Sequence, residues 1–165
     1  MSGVSINVQI EDKAVHQAFT RLITVMGDTT PIMSAIGTGL VGSTHRRFVS
    51  QKSPDGVAWK SLNSEYKKTK RNSRILTESG RLRDSINHRA GRDQVTVGTN
   101  AKYAAVHQLG ATVKPKSASH LVFRLASGIV LAKSVTIPAR PYLGISDDDQ
   151  VMISETVFSA LQRRI

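Results

Sequence analysis

Three glycines within six residues, Gly37, Gly39 and Gly42, fall inside the clearest helical pattern of the chain, and any fold it adopts has to accommodate them. The pattern opens at Thr30-Pro31, with Thr30 at the N-cap and Pro31 at the first helical position, where a missing N–H costs nothing. Ile32, Met33, Ile36, Leu40, Val41 and Phe48 then supply an apolar side through to Ser50. Each glycine weakens an isolated helix by about 1 kcal/mol relative to alanine. Either another backbone packs closely against this helix, or the helix is frayed or kinked in its middle.

The chain has 165 residues, enough for one core that buries roughly 70% of the unfolded surface and short for two independent domains. A single domain over 1–165 is expected. Residues 5–10 alternate, with Ile6, Val8 and Ile10 on one side, and predict a short first strand. A helix follows over 12–26, because Ala14, Val15, Ala18, Phe19, Leu22, Ile23 and Met26 recur at steps of three and four; Glu11 and Asp12 suit its positive end. Pro54-Asp55-Gly56 is a chain reversal, anchored by Trp59 and Leu62. A lone tryptophan reads as packing before it reads as a binding platform.

Residues 63–74 are polar and basic and read as a mobile loop, after which a short helix over 79–88 buries Leu82 and Ile86 one turn apart. Residues 94–97 alternate as a strand with Val95 and Val97 inward, closed by Gly98. A short helix starting at Asn100 or Ala101 presents Tyr103, Val106 and His107 and stops at Gly110. The excursion over 112–135 holds basic Lys114-Pro115-Lys116 and then a β-hairpin, 120–125 and 129–132, turning at Ala126-Ser127-Gly128. It too is expected to be mobile in the free subunit. Residues 135–137 are extended and end at Pro138.

The last helix is capped by Ser146 with Asp149 three residues on; Val151, Ser154, Val157, Phe158, Leu161 and Ile165 form its apolar face, and Arg163-Arg164 suit its end. N-terminal helices and a C-terminal helix around a small antiparallel sheet with a β-hairpin make the class α+β.

The net charge is +11, and residues 60–93 alone carry ten basic against four acidic groups. The run KKTKRNSR contributes Lys67, Lys68, Lys70, Arg71 and Arg74. It is either solvated surface or an electrostatic contact with DNA or an acidic protein ring. No aromatic residue is interleaved among the central arginines as a stacking platform. There is no cysteine, which excludes disulfides and thiolate chemistry. The first residues lack a signal peptide's basic start and apolar run, and no window reaches the ~20 apolar residues of a membrane span.

Catalytic patterns are missing. His16, His45, His88, His107 and His120 never form HxH or HExxH, and Asp147, Asp148 and Asp149 lack the alternating spacing of a calcium loop. The Gly37–Gly42 run has neither a preceding strand nor a closing Lys-Ser/Thr, so it is no nucleotide loop. No catalytic residue, cofactor site or metal site is assigned. His107 reads as a packed ring against Tyr103 with a hydrogen bond to nearby backbone, then as an interface residue, and last as a metal or acid–base group; Asn100 reads as a turn or cap group. Arg140, between Pro138 and Pro141, is placed to clamp a carboxylate of a neighbouring segment or subunit.

Four segments occur in order: PDGVAWKSL at 54–62, ILTESGRLRDSI at 75–86, VGTNAKYAAVHQLGA at 97–111 and SVTIPARPYLGIS at 134–146. Together they resemble the virion morphogenesis family of tailed bacteriophages, the Mu-like and P2-like tail-completion and head-tail joining proteins, over residues 28–161. Asp55, Gly56, Trp59, Leu76, Gly80, Leu82, Gly98, Thr99, Tyr103, Ala104, His107, Gly110, Ala139, Arg140, Pro141, Leu143 and Gly144 match the family hallmarks, and Tyr142 stands where an aromatic is expected.

The resemblance implies a structural, non-enzymatic protein that completes the tail or joins tail to head at the neck. It implies a virion location after assembly in the host cytoplasm, and as partners the tail tube or terminator, the neck or portal-associated connector, and further copies of itself in a ring, six by symmetry matching. Such a ring would bring part of the basic surface near DNA without sequence reading, and no membrane is implied. The alternative from the charge is a basic DNA-binding accessory or regulatory protein.

Overall fold

The computed structural model describes residues 4–7 and 13–163. In chain order the elements are β1 (Val4–Asn7), α1 (Lys13–Met26), α2 (Thr30–Ser50), α3 (Ser64–Thr69), α4 (Arg81–Asp84), β2 (Asn87–Ala90), β3 (Val95–Thr99), α5 (Ala104–Leu109), β4 (Ala111–Val113), β5 (Leu121–Leu125), β6 (Gly128–Ala132), β7 (Val135–Ile137) and α6 (Asp147–Gln162). The class is α+β, as expected. Val8, Ile10, Glu11, Asp12 and Ile165, which the sequence reading assigned to elements, lie outside the described residues.

The long helix α2 is the centre of the molecule. Its N-cap position is Thr29 rather than Thr30, and Thr29 caps nothing with its side chain. Asp28 takes that part instead, accepting the Thr30 N–H at 3.0 Å; hydrogen bonding from the Thr30 side chain first, and then from that N–H, holds its carboxyl below the usual carboxylate value. Ile32, Met33, Ile36, Leu40 and Phe48 are buried along the helix.

The helix passes through its glycines uninterrupted. Residues two apart on a helix point about 200° apart, so Gly37 and Gly39 face opposite neighbours. A Cβ at Gly37 would stand 2.4 Å from the His88 ring on β2 and 2.9 Å from Val95 on β3, and one at Gly39 would stand 2.7 Å from the Met152 sulfur on α6. The sheet and α6 therefore close on α2 from two sides. The close-packing reading holds at these two positions, with side chains rather than backbone as the neighbours. Gly42 meets only the end of Arg46, at 3.6 Å.

Strands β1, β3 and β2 form an antiparallel sheet in that order. Val95 and Val97 point into the core as the alternation predicts. Gly98 does not close the strand. It lies within β3 opposite Ser5 and Asn87, where a Cβ would meet the Val4 carbonyl oxygen at 2.5 Å. Asn87 and His88 belong to β2, so the helix expected over 79–88 shrinks to the single turn α4, with Leu82 and Ile86 buried on either side of its end.

The hairpin β5–β6 forms as predicted, with Leu125 opposite Gly128 and a positive φ of 122° at that glycine. Strand β7 pairs with β4. Residues 63–74 are not all loop: Asn63 accepts the N–H groups of Glu65 and Tyr66 and caps α3. At the far end Ser146 and Asp149 form the expected capping box on α6. The buried face of that helix is Asp149, Ile153 and Val157, whereas Val151 and Phe158 are exposed. The face read from sequence was thus partly rotated, because the exposed side of α6 also carries apolar groups.

Candidate functional site

The segment 139–146 has no regular secondary structure, yet Arg140, Tyr142 and Leu143 are buried. Buried backbone without a ladder must find other partners, and here side chains provide them. Trp59 Nε1–H donates to the Pro141 carbonyl at 2.8 Å. Gln108 on α5 accepts the Tyr142 and Leu143 N–H groups, each at 3.0 Å, and donates to the Leu143 carbonyl at 2.9 Å. Arg47 on α2 donates to the carbonyls of Tyr142 at 3.0 Å and Gly144 at 2.9 Å. Tyr142 OH donates to the Ala104 carbonyl at 3.2 Å, and burial pushes its hydroxyl up to about 12.

Arg140 differs from its expectation. Its guanidinium bonds the carbonyls of Lys60 at 2.8 Å and Ser61 at 3.3 Å, not a carboxylate. The chain turns inward there, so the nearest acceptors are backbone oxygens of the loop after Trp59. The buried carboxylate clamp is Arg47 with Asp149, whose side chains form an ion pair at 7% and 2% exposure. Burial alone would raise the Asp149 carboxyl, but hydrogen bonds from Ser43 and from the Ser146 N–H and hydroxyl, together with the Arg47 charge, hold it below its usual value.

Gly144, Gly110 and Gly80 serve close approaches and turns. At Gly144 a Cβ would meet Pro54 at 2.5 Å, and at Gly110, where φ is 74°, it would meet the Ala139 nitrogen at 2.8 Å. Gly80 has φ 78° at the entry to α4. Thr99 shares a hydroxyl contact of 2.6 Å with Ser85 and accepts the Ala101 N–H, so it and not exposed Asn100 holds the turn before α5.

A cleft of about 670 Å³ opens beside this framework, and it brings together pieces distant in sequence. Leu76, Gly80, Leu82, Tyr103, His107 and Arg140 contribute from the hallmark set, Tyr66, Lys70 and Glu78 from the basic region, and Phe123, Arg124 and Leu125 from the hairpin. His107 stacks edge-on to Tyr103 with centroids 6.0 Å apart. The hydrogen bond expected of its ring is not made at Nδ1, which is buried without a partner; its carbonyl instead accepts the Arg140 N–H at 2.8 Å. Burial first, and then the Arg140 charge, pushes the imidazole below its usual value and favours the neutral ring.

Of the five basic residues singled out, Lys67, Lys68, Arg71 and Arg74 are exposed, with Lys68 pairing Glu65 at 2.6 Å. Lys70 is covered, its side chain only 5% exposed, and pairs Glu78, which lines the cleft with it. Trp59 is a core residue, edge-on to Phe48 at 5.6 Å. Gln108 and Arg47 went unnoticed in the sequence, where nothing marks a polar helix residue as facing inward. Among the described residues no group of three or more His, Asp or Glu is placed to hold a metal ion, and no helix is long and apolar enough to cross a membrane.

Trp59, Arg140 and Tyr142 thus spend their polar groups on carbonyls of their own chain. Residues 10–162 match the model of the phage virion morphogenesis family, and the chain belongs to that family. It is 26% identical over 171 residues to the "Putative capsid assembly protein G" of Escherichia phage Mu, covering 99% of this chain and 96% of that one. It is 29% identical over 127 residues to the "Tail completion protein S" of Escherichia phage P2, covering 73% and 76%. The "Mu-like prophage FluMu G protein 2" of Haemophilus influenzae is 26% identical over 153 residues, 92% and 93% of the two chains. No solved structure matches at a significant level. The protein is a structural component of phage virion morphogenesis and works together with other phage structural proteins.

Proposed function

We propose that this chain completes the phage tail or joins it to the head at the neck, acting without turnover as one of six identical subunits in a ring. The observation that carries the reading is where the hallmark side chains point. Trp59, Arg140 and Tyr142 place their polar groups on carbonyls of their own chain, so these three side chains brace the frame of the subunit. The exposed Lys67, Lys68, Arg71 and Arg74 and the hairpin excursion 112–135 are then the contact surfaces, mobile in the free subunit and ordered against a neighbour.

The names of its relatives from phages Mu and P2, which refer to capsid assembly and tail completion, support this location. A tail end and a connector are rotationally symmetric, and a cyclic ring meets both through one repeated contact. Part of the +11 charge then lines a DNA passage and binds it weakly, with strong salt sensitivity and no sequence preference.

Deleting the gene is expected to leave filled heads beside separate or abnormal tails, and imaging of normal virions to show a ring at the tail-proximal neck. Normal attached virions from a clean deletion would overturn the assignment, and one copy per particle would overturn the ring. Sequence-selective DNA binding at physiological salt would favour a regulator instead.

A further inference from the structure

Two exposed faces of the chain are apolar at the centre and opposite in charge. On the hairpin, Val122 lies opposite Leu131 and Arg124 opposite Ile129, so all four share one side of β5–β6. Val122, Ile129 and Leu131 are 67%, 75% and 62% exposed. The segment 112–135 contains Lys114, Lys116, Arg124 and Lys133 and no acid. Strand β6, with the sequence GIVLA, carries none of the charges, prolines or bulges that usually blunt an edge.

On α6, Asp148, Val151, Glu155, Phe158 and Gln162 follow one another at steps of three and four and fall on one exposed stripe, with Asp147 beside it. Val151 and Phe158 are 57% and 43% exposed. The helix contains no Lys or Arg, and Asp147, Asp148 and Glu155 make no ion pair among the described residues. In a protein of charge +11 this is a concentrated negative surface with an apolar centre. Groups that match in both respects attract and orient one another.

We propose that the outer face of the β5–β6 hairpin of one copy docks on the outer face of α6 of the next copy. Because the two faces differ, the contact is head to tail, and each subunit carries one of each. The inference rests on the ring reading above and names the contact that builds it. A second copy accounts for both faces at once, including the acidic stripe, which makes no ion pair among the described residues.

The absence of cysteine makes a direct test clean. In the full-length chain, Leu131→Cys with Phe158→Cys is expected to give a ladder of disulfide-linked species beyond the dimer on oxidation, in concentrated solution or in assembled particles. Each single variant is expected to stay monomeric. Dimers from Leu131→Cys alone, as abundant as in the double variant, would show hairpin-to-hairpin pairing and overturn the proposal. So would the lack of any ladder in particles that carry several copies at the neck, a result that leaves the ring intact. A single copy per particle would overturn both.

Charge reversal gives a second reading on folded protein. Arg124→Glu with Lys133→Glu, and separately Asp148→Lys with Glu155→Lys, are each expected to weaken association about tenfold. Mixing the two variants is expected to restore it, since alternating copies then meet opposite charges at every contact. If the mixture associates no better than its parts, the two faces do not meet.

Discussion

The guanidinium of Arg47, in the last turn of α2, is ion-paired with the carboxylate of Asp149, in the first turn of α6, and both side chains are buried. The same arginine holds the carbonyls of Tyr142 and Gly144, and the same carboxylate accepts from the Ser146 N–H and hydroxyl. One pair therefore joins the central helix, the hallmark segment and the cap of the last helix. Removing one partner of a buried pair leaves an uncompensated charge, and Asp149→Ala or Arg47→Ala is expected to lower stability by about 3–5 kcal/mol. Denaturant unfolding of both single variants and the double variant would measure the coupling, and single-variant losses below about 1 kcal/mol would contradict it.

The pair also sets an acid limit. The folded Asp149 carboxyl lies below its ordinary value of 3.8, so its contribution is complete above that value and is lost as the pH falls through the lowered one. Unfolding midpoints of the natural chain are expected to drop in the window below about pH 4. Asp149→Asn is expected to be less stable at neutral pH and to show a shallower decline in that window. Parallel pH profiles for the two proteins would refute the linkage.

The three helix glycines predict a graded series. Gly37→Ala drives a methyl into the His88 ring and Val95, and is expected to destabilise by about 1–3 kcal/mol from overpacking. Gly39→Ala meets only the flexible end of Met152, which can turn away, so gain and loss should nearly cancel. Gly42→Ala has room and is expected to stabilise by up to about 1 kcal/mol through helix propensity alone. Midpoints from thermal or urea unfolding should follow that order.

Gln108→Ala strips partners from two N–H groups and one carbonyl of the hallmark segment at once. The expected loss is about 2–3 kcal/mol, since unsatisfied buried backbone groups cost about 1–3 kcal/mol each and water reaches some of them. Trp59 donates to the neighbouring Pro141 carbonyl and is the only tryptophan. Its fluorescence should therefore report whether the segment loosens before global unfolding. An unchanged midpoint would mean the segment is held by packing alone.

Replacing Lys67, Lys68, Arg71 and Arg74 with Ser should leave the fold nearly intact, because exposed charges contribute within about 0.5 kcal/mol each. Lys70 stays in place because it is covered and paired to Glu78. The variant is expected to fold yet yield fewer joined particles, counted by infectivity and by imaging. Normal infectious yield would mean that these charges are solvated surface only.

Sequence alone determined what depends on neighbours along the chain. Ser146 with Asp149, Pro54-Asp55-Gly56, the hairpin turn at Gly128 and the alternation of Val95 and Val97 were legible because capping, turn and strand chemistry act over a few residues. The family was legible too, and residues 10–162 match its model. Tertiary structure decided which partner each inward polar group meets. Arg140 finds the carbonyls of Lys60 and Ser61 and Arg47 finds Asp149, 102 residues away. Gly98 sits under the Val4 carbonyl rather than at a strand end. The outward face of α6 mixes Val151 and Phe158 with acids, so its apolar spacing could not say which side is buried. Such choices are set by contacts between segments far apart in the chain, and local pattern carries no information about which distant group arrives.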